Sequence, residues 1–345
     1  MTTHKKCVYD RYTYRDILKD TGVLAHLTHQ QSDEKNPNRK FTFIDLFAGI
    51  GGIRQAFEGC GGQCLFSSEI DVHAKYTYYT NFGSVPYGDI MEIDAHRIPD
   101  HDVLCGGFPC QPFSRIGKRE GFDHATQGTM FHEIVRILKV KKPRVVFLEN
   151  VPGIINHDGG NTLQVIVDSL QELGYVVYQK VLDAQDFGVP QQRKRFYLVA
   201  VTNPNKKFNF PRVCKNKEKV DIGPFIEKNI EKYSISKHLQ ESYLFKVDDG
   251  KPDIIDQTTT GVVKTLLSSY HKIQRLTGTF VRDGETGIRL LSKKECLSIM
   301  GFPADFVIPV SRTQMYRQLG NSVVIPVIDA IASQIAQYLI VDCES

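Results

Sequence analysis

From Phe41 onward the chain alternates short apolar runs with helical ones, and that rhythm admits few folds. Phe41–Phe47, Gln63–Ser68, Asp102–Cys105, Arg144–Leu148, Tyr175–Leu182 and Arg195–Val201 read as strands. Ile53–Glu58, Val72–Asn81, Thr129–Lys139 and Thr162–Leu173 read as helices between them, the last closed by Gly174. Such alternation predicts an α/β fold: a mixed, mostly parallel sheet with helices on both faces. The rhythm stops near Asn203-Pro204-Asn205. Residues 203–287 are polar and irregular, and predict a smaller lobe. Helical patterning resumes at Leu291–Met300 and Val327–Ile340, so 288–345 reads as a return to the main domain of 41–202. Residues 1–40 precede the sheet as an extension, with one amphipathic stretch around Tyr12–Leu27 and a polar linker, Gln31–Lys40.

With 345 residues the chain can bury a sizeable core. No apolar run approaches the ~20 residues that cross a bilayer. The first residues lack the apolar region of a secretion signal. No membrane association and a cytoplasmic location are therefore expected. The eight cysteines form no CxxC pair and lack matching histidines, so no metal site is predicted and free thiols in a reducing compartment are. A net charge of +4 says little about partners by itself.

Four stretches carry chemistry. In Gly107-Phe108-Pro109-Cys110-Gln111-Pro112-Phe113-Ser114, two prolines stiffen a turn at a strand end and present a thiol. Arg115, Lys118 and Arg119 follow closely and could favour the nucleophilic thiolate; the bland reading is an inert buried cysteine. Asp45-Leu46-Phe47-Ala48-Gly49-Ile50-Gly51-Gly52 is a strand, a glycine turn and a helix start, where backbone amides can approach an anionic or nucleotide ligand. Glu69, followed by Ile70, and Asp89, followed by Ile90, close the next candidate strands; acids there suit an adenosine ligand or simply cap turns. Glu149 ends an apolar strand, where desolvation would keep a carboxyl group available as an acid, or else it caps a turn. Arg193 and Arg195 alternate in an extended segment, so both would point to one side and could grip a phosphate or carboxylate; a solvated basic edge strand is the plainer account.

In this order the stretches resemble the motifs of the bacterial DNA (cytosine-5)-methyltransferases of type II restriction–modification systems. The likeness covers roughly residues 41–201 and 288–340. It implies a Rossmann-like fold that uses S-adenosyl-L-methionine, contacted by Asp45, Phe47, Ala48, Gly49, Gly51, Glu69, Ile70, Asp89, Ile90, Pro109, Asn321 and Ser322. It implies that Cys110 is the nucleophile, Glu149 the proton donor, and Arg193 and Arg195 the holders of the cytosine ring. It assigns duplex DNA contacts to Gln111, Ser114, Arg115, Lys118 and the Thr265-Leu266 pair, in a target-recognition domain of 203–287. It further implies a separately acting restriction endonuclease and a monomeric enzyme. One departure is that Ile70 stands where the family often has a tryptophan against the adenine.

Two other readings stay open at this point. A transfer-RNA cytosine-5 methyltransferase would share the fold, although Gln111 after the Pro-Cys pair follows the DNA-type pattern. An NAD-dependent oxidoreductase would explain the glycine turn and Glu69, but not Cys110, Glu149 and Asn321 together. A catalytically silent DNA-binding regulator has no use for an intact Cys110 and Glu149.

Overall fold

The computed structural model describes residues 12–20, 22–23, 25–26, 39–108, 130–213 and 219–340. In chain order the principal elements are α1 (Tyr14–Leu18), β1 (Phe41–Leu46), α2 (Gly52–Gly59), β2 (Gly62–Ser68), α3 (Val72–Phe82), β3 (Val103–Gly107), α4 (Met130–Lys141), β4 (Val145–Asn150), α5 (Asn161–Glu172), β5 (Val176–Asp183), β6 (Lys194–Val201), β7 (Asp253–Ile255), β8 (Thr279–Val281), α6 (Lys293–Met300), α7 (Arg312–Asn321) and α8 (Ile325–Ile340). They fall into two compact units. The first holds the described residues up to Leu182, then Lys194–Pro211 and the chain from Asp329 on; the second holds Asp183–Arg193 and Arg212–Ile328.

A six-stranded sheet in the order β2-β1-β3-β4-β6-β5 forms the first unit. β1 runs parallel to β2 and β3, β3 parallel to β4, and β6 antiparallel to β4. This is the mixed, mostly parallel sheet expected from the alternation. The strands read as continuous apolar runs because helices cover both faces. On one face Ile44, Leu46, Leu104, Val146, Leu148 and Leu198 bury against Phe131, Ile134 and Leu138 of α4 and Ile166 and Leu170 of α5. On the other, Phe57 of α2 packs 5.3 Å from Phe43 and 5.5 Å from Phe147, ring centre to ring centre. Each such side chain contributes about 1.5–3 kcal/mol through burial. At the N-terminal end, Thr13 and Asp16 cap α1 reciprocally. Within the expected helical stretch Tyr12–Leu27, α1 covers Tyr14–Leu18, and Val23, Ala25 and His26 are helical as well.

The second unit encloses a cation completely. Arg289 is fully enclosed and forks onto both carboxylate oxygens of Glu295, each at 2.8 Å. Its Nε reaches Asp283 at 3.0 Å, and its remaining fork donates to the Glu227 carbonyl at 3.0 Å. Glu295 also completes a capping box with Ser292 at the start of α6. These bonds tie the segment after residue 288 to the preceding lobe. The division accordingly runs to Ile328, where the sequence reading had the main domain resume at 288.

Among the described residues, Arg312–Ile340 is the stretch long and apolar enough to cross a membrane by length and composition alone. Sixty-one per cent (61%) of its apolar window is buried within the protein, the pattern of a core helix.

Candidate active site

β1, β2, β3 and β4 are parallel, so their carboxyl ends gather along one edge of the sheet, where α/β folds bind ligands. Glu149, near the end of β4, lies opposite Gly107 at the end of β3. A Cβ added to Gly107 would stand 3.4 Å from Glu149 Oε2, so the glycine leaves the carboxylate its space. β6 brings Arg195 to the same place: its Nε lies 3.2 Å from Glu149 Oε1, and both side chains are largely sheltered from solvent. Glu149 thus faces a guanidinium rather than a purely apolar pocket.

Beside it, Asn150 is buried and donates its side-chain amide to the carbonyl of Phe108 at 2.9 Å. Its Oδ1 accepts from the Val151 amide at 2.8 Å. The chain leaving β3 is therefore fixed at the residue before Pro109. Pro109, Cys110, Gln111, Ser114, Arg115 and Lys118 lie outside the described residues. Among the described cysteines, Cys64, Cys105 and Cys296 are buried and free. Burial pushes their thiols up, that of Cys64 to about 12, which leaves them poor nucleophiles.

The glycine turn after β1 is tightly wound. Phe47, Gly49 and Gly51 all have positive φ. At Gly51 a Cβ would meet the Phe82 ring at 2.2 Å, so only glycine fits there. Glu69 closes the turn from β2: one oxygen accepts from the Gly49 amide at 2.8 Å and the other from the Asp71 amide at 2.7 Å. Burial raises the Glu69 carboxyl above the ordinary range, and these amides offset that only in part. Ile70 beside it is 71% exposed, an apolar side chain left open next to an acid. Asp71 caps α3 through the His73 and Ala74 amides, and Asp89 accepts from the Met91 amide at 2.9 Å. An exposed apolar side chain, a half-sheltered acid and a glycine turn form a donor set that fits an adenosine-containing methyl donor.

Asp45, Ile90 and Arg193, all expected to meet a ligand, have enclosed side chains. Asp45 is fully buried, and neither carboxyl oxygen finds a hydrogen-bond partner among the described residues. Burial pushes its carboxyl up to about 8, against the opposing charge of Arg54. Its carboxyl is enclosed because its strand is buried along nearly its whole length. Ile90 is likewise part of the core. Arg193 does not point alongside Arg195. Its guanidinium is buried and donates to the carbonyls of Leu266 (2.9 Å), Gly320 (2.8 Å) and Ser322 (2.7 Å).

In the second unit, the Thr265 hydroxyl donates to the Gln192 carbonyl at 2.7 Å. Leu266 is buried, and its amide donates to Gln191 Oε1 at 2.9 Å. The Thr-Leu pair is thus held by the Gln191–Arg193 segment. Asn321 is exposed at the end of α7, and Ser322 follows it. Asn150, Gln191 and Gly107 were missed from the sequence; their signal was adjacency to Glu149, Arg193 and the Pro-Cys turn. Among the described residues no cluster of three His, Cys, Asp or Glu side chains could hold a metal.

Known proteins bear on this geometry in three ways. The family described as C-5 cytosine-specific DNA methylase matches residues 41–337. The chain is 64% identical over 334 residues to the type II methyltransferase M.MspI of a Moraxella species, covering 97% of this chain and 79% of that protein. It is 53% identical over 327 residues to M.BsuFI of Bacillus subtilis, covering 94% of this chain and 79% of that one. In fold it resembles the crystal structure of the S. pombe Dnmt2 methyltransferase, with a TM-score of 0.70, 20% identity, and coverage of 88% and 99% of the two chains. Enzymes of this kind methylate with S-adenosylmethionine. With the sheet, the glycine turn and the Glu149–Arg195 pair in place, this chain belongs to the C-5 cytosine-specific DNA methylase family and is an S-adenosylmethionine-dependent DNA (cytosine-5)-methyltransferase.

Proposed function

We propose that this enzyme methylates carbon 5 of a flipped-out cytosine within a short duplex DNA sequence, and that it protects host DNA in a type II restriction–modification system. The carrying observation is the end of β3: Asn150 fixes Phe108, two residues before Cys110, next to the Glu149–Arg195 pair. The two type II relatives support the restriction–modification setting.

In this reading the Cys110 thiolate adds to carbon 6 of the ring as Glu149 gives a proton to ring nitrogen 3. The Cys110 adduct makes carbon 5 electron-rich. S-adenosylmethionine, when bound, supplies the electrophilic methyl group that carbon 5 takes. Loss of the carbon 5 proton to water then expels the Cys110 thiolate, ring nitrogen 3 returns its proton to Glu149, and the aromatic ring is restored. Arg195, already against Glu149, orients that carboxyl group and the ring. Arg193 is withdrawn from the ring contact expected of it, since its fork is spent on backbone carbonyls. The target base has to leave the stack, at a cost of a few kcal/mol.

Glu69, Ile70, Asp89 and the Gly49 turn would hold the methyl donor, with Phe47, Ala48, Gly51 and Pro109 around it and Asn321 and Ser322 as further contacts. Gln111, Ser114, Arg115, Lys118 and Thr265 would meet the duplex, and residues 203–287 would choose the sequence. Leu266 would act through its packing. We also place the enzyme in the cytoplasm as a monomer, with the endonuclease acting separately. The test is transfer of a labelled methyl group to duplex DNA or to transfer RNA, followed by bisulfite sequencing. Label in transfer RNA alone would overturn the proposal.

A further inference from the structure

We propose that Arg193 is a positioning residue that couples methyl-donor binding to DNA binding. Arg193 is 3% exposed, and its guanidinium bridges two stretches of main chain. One is the Leu266 carbonyl of the Thr-Leu loop, at 2.9 Å. The other is the end of α7, through the carbonyls of Gly320 and Ser322 at 2.8 and 2.7 Å. Carbonyls at a helix C-terminus carry negative potential, so a buried cation is well placed there.

The two stretches also touch directly. A Cβ added to Gly320 would fall 2.1 Å from the Ser268 amide nitrogen. At such contact neither stretch can shift without the other, because packed protein interiors transmit displacement. Gln191, two residues before Arg193, holds the Leu266 peptide from its amide side at 2.9 Å, while its own amide donates to the Ile299 carbonyl at 3.1 Å. The Leu266 peptide is thus gripped at both ends by one short segment. A ligand that orders either stretch orders the shared fork. The second ligand then meets a site whose ordering has already been done, which is positive coupling. The inference rests on the reading that Asn321 and Ser322 contact the donor and that the Thr265 loop meets the duplex.

The experiment measures S-adenosylhomocysteine affinity by calorimetry with and without a saturating duplex that the enzyme is known to methylate. The wild-type ratio of the two affinities is expected to fall in the range of about 5–150. Arg193→Lys, which keeps the charge but loses the fork, is expected to bring that ratio close to one while each binary affinity changes less. Tyr316→Phe removes a buried hydroxyl bond to the Leu291 carbonyl one turn before Gly320 on α7, and leaves the Arg193 fork untouched. It is expected to lower the melting temperature and leave the ratio alone, which separates coupling from general destabilisation. Where Arg193→Lys does not fold, Gln191→Met, which releases the Leu266 amide held by the same segment, is read the same way. A wild-type ratio of one, or an unchanged ratio in a folded variant, overturns the proposal. Asn321→Ala, titrated with S-adenosylhomocysteine alone, tests the underlying reading separately: unchanged affinity there removes the donor assignment and leaves the ratio measurement standing.

Discussion

Asn150 and Phe108 are joined by a 2.9 Å bond from a side-chain amide to a main-chain carbonyl, across the ends of two neighbouring parallel strands. That bond fixes Phe108, the residue from which the chain continues to Pro109 and Cys110. Asn150→Ala should lower kcat by about 10–100-fold, as expected when a reacting group is displaced by about an ångström. Methyl-donor affinity should stay within error, because the glycine turn is untouched. A kcat equal to wild type would mean that the turn is positioned from elsewhere.

DNA carrying 5-fluorocytosine at the target should trap the enzyme when the methyl donor is present, since fluorine cannot leave as a proton does. Peptide mapping after denaturing electrophoresis should find the adduct on Cys110, and Cys110→Ser should give none while keeping gel-shift affinity for DNA. Glu149→Gln should form the adduct far more slowly. An adduct on any other cysteine contradicts the scheme.

Glu69→Ala should weaken methyl-donor binding by roughly 10–100-fold, the scale of one charge-assisted hydrogen bond at about 1.5–3 kcal/mol. The loss has two sources, the proposed ribose contact and the two amides of Gly49 and Asp71 that the carboxylate now holds. Calorimetric titration reads it, and DNA affinity serves as the control.

Asp45 makes stability depend on pH. Its folded-state carboxyl is raised to about 8, against about 3.9 for an unfolded aspartate. Between those values the folded state keeps a proton that the unfolded state has released. The contribution is therefore complete at low pH and is lost as pH rises through about 8. Asp45→Asn, neutral at every pH, should flatten this slope and melt higher than wild type at pH 9, with little difference at pH 5. Parallel melting curves for the two proteins across that range would sink the assignment.

Exchanging residues 203–287 for the corresponding lobe of a relative with a different target should move the methylated site without abolishing transfer. The graft should need an acid at position 283, because Asp283 shares the buried Arg289 with Glu295. Bisulfite mapping of plasmid DNA reads the site, and a folded, active chimera that keeps the old site would place recognition outside the lobe.

The sheet was legible because strands covered on both faces leave long apolar runs, and because glycines punctuate their ends. Glu149 and Glu69 could be found for the same reason: a strand end is where an acid stands out. Arg193 could not be read correctly. Alternation holds inside a strand, but β6 starts at Lys194, so Arg193 sits before the pleat that would have paired it with Arg195. Asp45 carried a signal that was outweighed. It lies between Ile44 and Leu46 on a strand with no solvent face, and the neighbouring glycine turn drew it into the ligand site instead. The packing of the Thr-Leu pair depends on contacts spanning more than 70 residues, which local pattern does not encode.

The enclosed Arg289 has a consequence for how such a protein can diversify. Of its partners in the lobe, Glu227 offers only a main-chain oxygen and Asp283 a single carboxylate, while Glu295 belongs to the helix that follows. Removing either charge of the central pair would strand the other in the interior, at about 3–5 kcal/mol. Between those fixed points Val281 exchanges main-chain hydrogen bonds with Arg289, which almost any side chain at 281 would allow. A lineage can therefore rewrite its reading surface by drift or recombination while the socket that seats it stays the same.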